Sequence, residues 1–230
     1  MTDAWTETAC AALLDQAIRL APSEGWTRRM AAQAGRAAGF SAGETELLIP
    51  RGPADLAALL WRRHDARALT LLGDLDPQGL KVRERIARAV EARLDAAAGD
   101  EAVTRRCVGW LALPQNFALG AQLAWESADG LWRWAGDRST DENHYSKRAI
   151  LAGVLSAALA VRLSAGRGAA LRFTGRRIDE VMRFERWKAA RGAGPTALLT
   201  SAAAALGRLR YGRSAPDERL GDAATPPPPP

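Results

Sequence analysis

Residues 25–48 read GWTRRMAAQAGRAAGFSAGETELL, and the glycines in this stretch predict how the chain begins to fold. Gly39 ends a helix predicted over Trp26–Ala38, and a short helix over Ala42–Leu48 follows at once. A helix over Trp5–Leu20 precedes both. Three short helices joined by tight turns are the layout of a helix-turn-helix unit, with Ala42–Leu48 in the position of the DNA-reading helix.

The rest of the chain repeats apolar residues at helical spacing, as Val82, Ile86, Val90 and Leu94 show. Seven further helices are predicted, over Pro53–Gly73, Leu80–Ala98, Asp100–Leu111, Pro114–Trp134, Thr140–Ser164, Leu171–Ala190 and Thr196–Tyr211. The predicted fold class is all-α, with about ten helices and the head-on-body organisation of TetR-type regulators. Its parts are a helix-turn-helix-like head (1–50), a helical ligand-binding and dimerisation body (51–192), a terminal amphipathic helix (195–213) and a disordered Pro-rich tail (214–230).

The composition favours helices over strands. Of the 230 residues, 49 are Ala and 29 are Leu, whereas Val and Ile together number 12. Sheets prefer β-branched residues, so an all-β or α/β fold is disfavoured. The chain is 47% hydrophobic and 25% charged, which excludes a disordered or collagen-like protein. The longest apolar stretch, Ala149–Val161, is shorter than the ~18 residues of a spanning helix, so no membrane span is expected.

The charge of the head argues against DNA binding. Residues 1–50 contain four cations and six anions, and the predicted recognition helix carries Glu44 and Glu46 but no Lys or Arg. Carboxylates facing the phosphate backbone would oppose binding, since nucleic-acid readers present cations there. No nucleic-acid partner is therefore expected, and a ligand-responsive transcription regulator is kept only as the alternative function.

The most specific motif lies between residues 111 and 148. It contains LALPQN at 111–116 and LWRWAGDRSTDENHYSKR at 131–148. This stretch resembles the coenzyme Q (ubiquinone) biosynthesis lipid-binding family, the ninth Coq protein, in which a Pro-x-Asn turn precedes Ala-Gly-Asp-x-Ser-Thr-Asp and an Asn-Trp-Tyr element. One departure is that His144 stands where that family has Trp.

The resemblance implies a function. It implies a TetR-like fold without DNA binding, a homodimer, an apolar pocket for an isoprenoid quinone precursor, and a terminal helix that docks on a membrane surface. It also implies a surface that engages a ring hydroxylase of the ubiquinone pathway. The chain would be a non-enzymatic accessory protein without a cofactor. Because the sequence shows no transit peptide, the expected location is the bacterial cytoplasm, peripheral on the inner membrane.

Large residues alternate with Ala and Gly in the two predicted helices that flank this motif, an arrangement that leaves volume for an apolar ligand. The bulky members there are taken as the lipid-binding set: Leu113, Phe117, Leu119, Leu123, Leu151 and Leu155, with Leu159 on the same helix. The competing interpretation is a close-packed, Ala-rich core.

The polar motif supplies the candidate partner patch: Asp137, Asp141, Asn143, His144, Tyr145 and Arg148. Simpler roles exist for some of these residues. Asp141 and Glu142 lie at a predicted helix start, where acids complement the helix dipole, with Ser139 and Glu142 at capping-box spacing. Arg148 is expected to hold this corner together by ion pairing rather than to bind a ligand.

The predicted helix over Thr196–Tyr211 is too short to span a membrane but has an apolar side flanked by cations, which favours an interfacial helix. Its candidate membrane contacts are Leu198, Leu199, Leu206, Leu209, Arg208 and Arg210. Residues 151–213 carry 12 cations against 3 anions, a distribution suited to anionic lipid. Docking of this helix on the body or on a second copy is the alternative.

No pattern indicates catalysis or a metal site. The only two histidines, His64 and His144, fall in different predicted elements, and His64 is expected to be solvated between charged neighbours. Cys10 and Cys107 fit no metal or redox spacing and are expected to pack as small hydrophobic residues.

Overall fold

The computed structural model of the protein describes residues 2–137 and 142–190, and these contain helices and turns but no strand. The eight helices are α1 (Thr2–Glu24), α2 (Arg28–Ala37), α3 (Ala42–Leu48), α4 (Pro53–Leu71), α5 (Val82–Ala98), α6 (Glu101–Leu111), α7 (Phe117–Trp134) and α8 (Glu142–Ala190). Short 3₁₀ turns at Pro77–Gly79 and Pro114–Asn116 precede α5 and α7. The all-α prediction is confirmed.

The head has the predicted three helices, and local sequence explains their ends. Thr27 caps α2 by accepting a hydrogen bond from the Met30 N–H, and Ser41 forms a capping box with Glu44 at the start of α3. Gly39 between them has a φ of 86°, a conformation that glycine adopts without steric cost. As a result, α3 occupies the predicted bounds Ala42–Leu48.

One contact fixes the distance between α2 and α3. A Cβ placed on Gly35 would lie 2.1 Å from Oγ1 of Thr45, so only glycine allows the two helices to approach this closely. Thr45 is buried, and its hydroxyl donates a 2.8 Å hydrogen bond to the Ser41 carbonyl. The helix-turn-helix geometry therefore depends on a small residue at position 35.

The body packs α4 against α1, α5 and α7, with α6 and α8 completing the core. Its interior is built from Leu and Ala, including Leu60, Leu94, Leu123 and Leu155. The residues as far as Trp187 form one unit. The division between head and body at residue 50 stays a prediction.

The predicted break between the helices expected over Thr140–Ser164 and Leu171–Ala190 is present inside α8. Gly166 there has a φ of 82° and a ψ of 177°, which is not helical, so α8 consists of two helical segments that meet at a kink. One other predicted boundary was wrong: α1 continues through Pro22, which lies so close to the end of the helix that few hydrogen bonds are disturbed.

The expectation that no segment is long and apolar enough to cross a membrane also needs correction. By length and composition, His144–Phe184 within α8 passes such a test, with a mean hydropathy of 1.8 in its most apolar window. The core helix of a soluble protein also meets these criteria but is mostly buried, whereas only 22% of this window is buried. Leu151, Leu155 and Leu159 of this helix do pack against the body. The predicted helix over Thr196–Tyr211 and the Pro-rich tail lie outside the described residues.

His64 was expected to be solvated, but it is fully buried. Its Nε2 lies 3.3 Å from Oδ2 of Asp100, which also accepts a 3.1 Å hydrogen bond from Arg67. Burial, together with the nearby charge of Arg93, lowers the pKa of His64 to about 4. A neutral imidazole is therefore part of the core at neutral pH.

The Gly35–Thr45 contact predicts opposite effects for two glycine substitutions. Gly35→Ala should lower the free energy of unfolding by about 1–3 kcal/mol, because the new methyl group overlaps a buried, hydrogen-bonded threonine. Gly43→Ala, in α3 with open space around its Cβ position, should raise it by about 0.5–1 kcal/mol. Urea unfolding followed by circular dichroism measures both; equal effects would contradict the proposed packing constraint.

Burial of His64 predicts a pH dependence of stability. Between the folded pKa of about 4 and the unfolded value near 6.5, the unfolded chain binds a proton that the folded chain does not. The free energy of unfolding should therefore rise with pH across that window, by up to about 1.4 kcal/mol per pH unit, and then level off. Comparing wild type with His64→Gln separates this contribution from that of the carboxylates. If the free energy of unfolding had the same pH dependence in wild type and in His64→Gln, His64 would not contribute to that dependence.

Candidate functional site

An open apolar groove of about 500 Å³ runs along the body between α4, α6, α7 and α8. Three aromatic residues line it: Trp61 from α4, and Phe117 and Trp125 from α7. The remaining walls are aliphatic or small and comprise Val108, Leu111, Ala112, Gly120, Ala121, Ala124, Ala152, Gly153, Ser156 and Leu159. A groove of this size and polarity suits an apolar ligand.

Of the predicted lipid-binding set, the structure places Phe117, which is 67% exposed, in this groove, and Leu159, predicted on the same helix as Leu151 and Leu155, lines it too. Leu123, Leu151 and Leu155 are instead buried in the core, and Leu119 packs half-buried against it. Leu113, just before the 3₁₀ turn, is exposed and does not line the groove. The lipid-binding role of these five residues stays a prediction, and the groove does not include them.

The groove-lining residues that sequence reasoning missed do share a signal. Gly120, Ala121 and Ala124 follow the predicted Phe117 at spacings of three or four residues along one face of α7, and Ala152, Gly153 and Ser156 share one face of α8. Small residues on facing helix surfaces leave the space, and the aromatic residues border it. Trp61 belongs to a distant helix, so its position at the groove depends on tertiary packing.

A buried polar cluster supports the Trp61 side of the groove. The guanidinium of Arg93 lies 5.1 Å from the centre of the Trp61 ring, and Nε of Arg93 donates a 2.5 Å hydrogen bond to Asp65. Asp65 also accepts a 2.7 Å hydrogen bond from Ser127 of α7. This cluster fixes α4, α5 and α7 relative to one another. The buried charge of Arg93 thus has a structural partner in Asp65.

A second buried ionic cluster joins the end of α7 to the start of α8. Arg148 donates a 2.5 Å hydrogen bond from Nε to Asp129 and a 3.0 Å hydrogen bond from Nη1 to Asp137. Lys147 donates to the other oxygen of Asp137 at 2.9 Å, while its carbonyl accepts from the Trp132 indole. The expected ion-pairing role of Arg148 is confirmed, with Asp129 and Asp137 as its partners.

This cluster changes the composition of the predicted partner patch. The side chains of Asp137 and Arg148 are only 8% and 2% exposed, so they offer little surface to a partner, and their assignment to the patch stays a prediction. Tyr145 is 64% exposed, and His144 packs edge-on against its ring with centroids 5.2 Å apart. Asp141 and the side chain of Asn143 lie outside the described residues.

Tyr145 connects this surface with the groove. Its ring stacks on Trp125 at a centroid distance of 6.1 Å, and Trp125 also lines the groove. An exposed aromatic residue therefore lies directly beside the apolar groove. The six candidate membrane contacts, Leu198, Leu199, Leu206, Leu209, Arg208 and Arg210, all lie outside the described residues and stay predictions.

The described residues include no group of three His, Cys, Asp or Glu side chains that could hold a metal ion. Cys107 is buried in the core, and burial raises the pKa of its thiol, which keeps it protonated. Cys10 is half-buried, and burial also raises the pKa of its thiol. Neither cysteine has the environment of a nucleophile.

The helix-turn-helix-like head and the all-helical body with its apolar groove give the protein a TetR-like all-α architecture. Residues 117–185, which form most of two groove walls and the ionic cluster, match the COQ9 family model. The relationship predicted from the sequence is confirmed: the chain is related to the COQ9 proteins.

Curated relatives extend this match beyond the central segment. The chain is 29% identical over 150 residues to "Ubiquinone biosynthesis protein COQ9, mitochondrial" of Rattus norvegicus, covering 62% of this chain and 47% of the relative. The corresponding human protein is 26% identical over 150 residues, covering 62% and 46%. The Schizosaccharomyces pombe protein is 26% identical over 150 residues, covering 64% and 58%. The chain thus spans about half the length of the relatives it matches.

These relatives correct the predicted localisation. The expectation of the bacterial cytoplasm, with peripheral attachment to the inner membrane, is contradicted because the relatives are mitochondrial proteins of eukaryotes. The prediction depended on the absence of a recognisable transit peptide, and that absence is weaker evidence than the location of the relatives.

The two arginines that contact Asp129 should contribute unequally to the free energy of unfolding. Arg148→Ala should lower the free energy of unfolding by about 3–5 kcal/mol, because it leaves two carboxylates in the buried cluster without their shared cation. Arg133→Ala removes a 2.7 Å pair to the same Asp129, but Arg133 is 73% exposed, so the loss should be below about 1 kcal/mol. Urea unfolding tests this, and similar losses would contradict a structural role specific to Arg148.

Proposed function

We propose that this protein is a lipid-binding accessory protein of ubiquinone biosynthesis that catalyses no step itself. It binds an isoprenoid quinone precursor at a membrane and presents it to a hydroxylase of the pathway. The role in ubiquinone biosynthesis is supported by the match to the COQ9 family and by relatives named for that pathway. Lipid binding and presentation are inferred from the site.

The apolar groove is the observation that carries the proposal. It is lined almost wholly by hydrocarbon and aromatic groups, it is open along its length, and most of its lining belongs to the segment that matches the family model. An elongated apolar chain can enter such a groove from the side and remain partly accessible. Accessibility is what a protein that delivers its ligand requires, since an enclosed cavity would have to open first.

The exposed aromatic residues beside the groove suit the hydroxylase contact. Aromatic side chains supply much of the binding energy at protein interfaces, and Tyr145 with His144 presents such a surface next to the groove-lining Trp125. A partner that covers Tyr145 would face the ligand directly. His144 offers less apolar area than the family's tryptophan, so the partner surface is expected to differ from that of the family at this position.

A homodimer and a membrane contact complete the proposal. The part of α8 turned away from the core exposes Ile150, Phe184 and Trp187, and a second copy of the chain would shield such a surface. The membrane contact is assigned to the predicted helix over Thr196–Tyr211. Transcription regulation is not favoured, because α3 presents Glu46 and the 84% exposed Leu47 to solvent.

A pair of glycine substitutions tests the groove. Gly153 lines the groove, and a Cβ there would have no atom within 4 Å, so in Gly153→Leu the fold should persist while the added side chain fills the groove and bound isoprenoid lipid is lost. Gly109→Leu, on α6 with equally open surroundings but outside the groove, is the matched control and should retain lipid. Native mass spectrometry of the purified proteins measures bound lipid, and thermal unfolding verifies the fold.

The outcomes discriminate between the proposals. Wild-type protein that carries no isoprenoid and takes up no ubiquinone precursor from vesicles would overturn lipid binding. Equal lipid content in Gly153→Leu and Gly109→Leu would overturn the assignment to this groove. Conversion of a precursor by the isolated protein would overturn the non-enzymatic role.

A further inference from the structure

A second groove lies in the head and shares no lining residue with the apolar groove of the body. It has a volume of about 420 Å³ and is formed by α2, α3 and the turn that leads into α4. Small residues of α2, Ala31 and Ala32, line one side, while Phe40, Ile49 and Pro50 line the other. The proposed function makes no use of this groove.

Two arginines border the groove without any ion pair. Arg28 in the first turn of α2 and Arg36 in its last turn both line it, are exposed, and pair with no carboxylate among the described residues. This contrasts with the body, where Arg93, Arg148 and Arg167 are each held by carboxylates. The head cations are therefore available to an external anion.

The nearby carboxylates do not neutralise this pair of cations. The carboxylate of Glu44 accepts hydrogen bonds from the N–H and hydroxyl of Ser41, at 2.8 and 2.7 Å, and is committed to the capping box. Glu46 is the only carboxylate that lines the groove. Two cations thus face one anion across an apolar surface.

We propose that this groove binds a small carboxylate with an apolar body, most simply an aromatic carboxylate. A guanidinium matches a carboxylate in geometry and binds it through two parallel hydrogen bonds. Arg28 and Arg36 are separated by eight residues, roughly 12 Å along the helix, so their long side chains can close on a ligand lying over Ala32. The half-buried Phe40 ring offers an apolar wall to the ligand's own ring.

Nucleic acid fits the same surface less well. The cations belong to α2, whereas α3, which would enter a DNA groove, exposes Glu46 and Leu47 and carries no cation. The groove is also concave and largely apolar, and an apolar surface offers no contact to a charged phosphate backbone. DNA binding is accordingly an outcome that the test must be able to detect.

Nitrogen-15 NMR titration of the whole protein with benzoate tests the proposal. Benzamide, which has the ring without the charge, and acetate, which has the charge with almost no apolar body, are the controls. Benzoate should shift the amide signals of Ala31, Ala32 and Thr45, and both controls should bind at least about tenfold more weakly.

Two double variants with the same change in net charge localise the effect. Arg28→Gln with Arg36→Gln should weaken benzoate binding about tenfold or more, whereas Arg19→Gln with Arg29→Gln should leave it within about twofold. Arg19 and Arg29 are exposed head arginines that do not line the groove. Circular dichroism verifies that all variants fold.

Three results would overturn the proposal. These are no benzoate shifts at millimolar concentration, equal binding of benzoate and benzamide, or equal weakening in the two double variants. Salt-dependent binding of a DNA duplex that is lost in the Arg28 and Arg36 variant would also overturn it, in favour of a nucleic-acid surface. None of these outcomes bears on lipid binding in the body.

Discussion

The pairing of Arg148 with Asp129 and Asp137 is the interaction on which the functional half of the molecule depends. It removes three charged groups from water, which is stabilising only because each finds a close partner of opposite charge. In doing so it fixes the end of α7 against the start of α8. These two helices supply most of the groove wall and the aromatic surface beside it, so a polar cluster positions an apolar site.

Polar contacts therefore hold the helices in place, and apolar residues line the groove beside them. Bulky aliphatic residues such as Leu123 and Leu155 fill the core, ionic clusters join the helix ends, and small residues face one another where the groove lies. The groove exists because Gly120 and Gly153 leave space at helix surfaces that are otherwise held rigidly. Trp125 at its edge then connects the groove with the exposed ring of Tyr145.

Sequence patterns predicted what depends on local chemistry and failed where packing decides. The bounds of α3 follow from Ser41 and its capping box, and the family relationship follows from a contiguous motif. Hydrophobicity alone does not distinguish a residue that fills a core from one that lines a groove, which is why the predicted lipid-binding set includes the buried Leu123 and Leu155. His64 was misplaced for a related reason: its partner Asp100 is distant in sequence, and only the fold brings the two together.

The contact between Gly35 and Thr45 fixes the geometry of the head independently of the residues on its outer surface. It is a steric requirement that involves no charge, and it holds α2 and α3 in the arrangement shared with DNA-binding proteins. The outward side chains of α3 take no part in this contact, so their charge can differ without disturbing it. The outward residues of such a head can thus differ while its geometry stays intact, so resemblance in backbone alone is an unsafe guide to gene regulation.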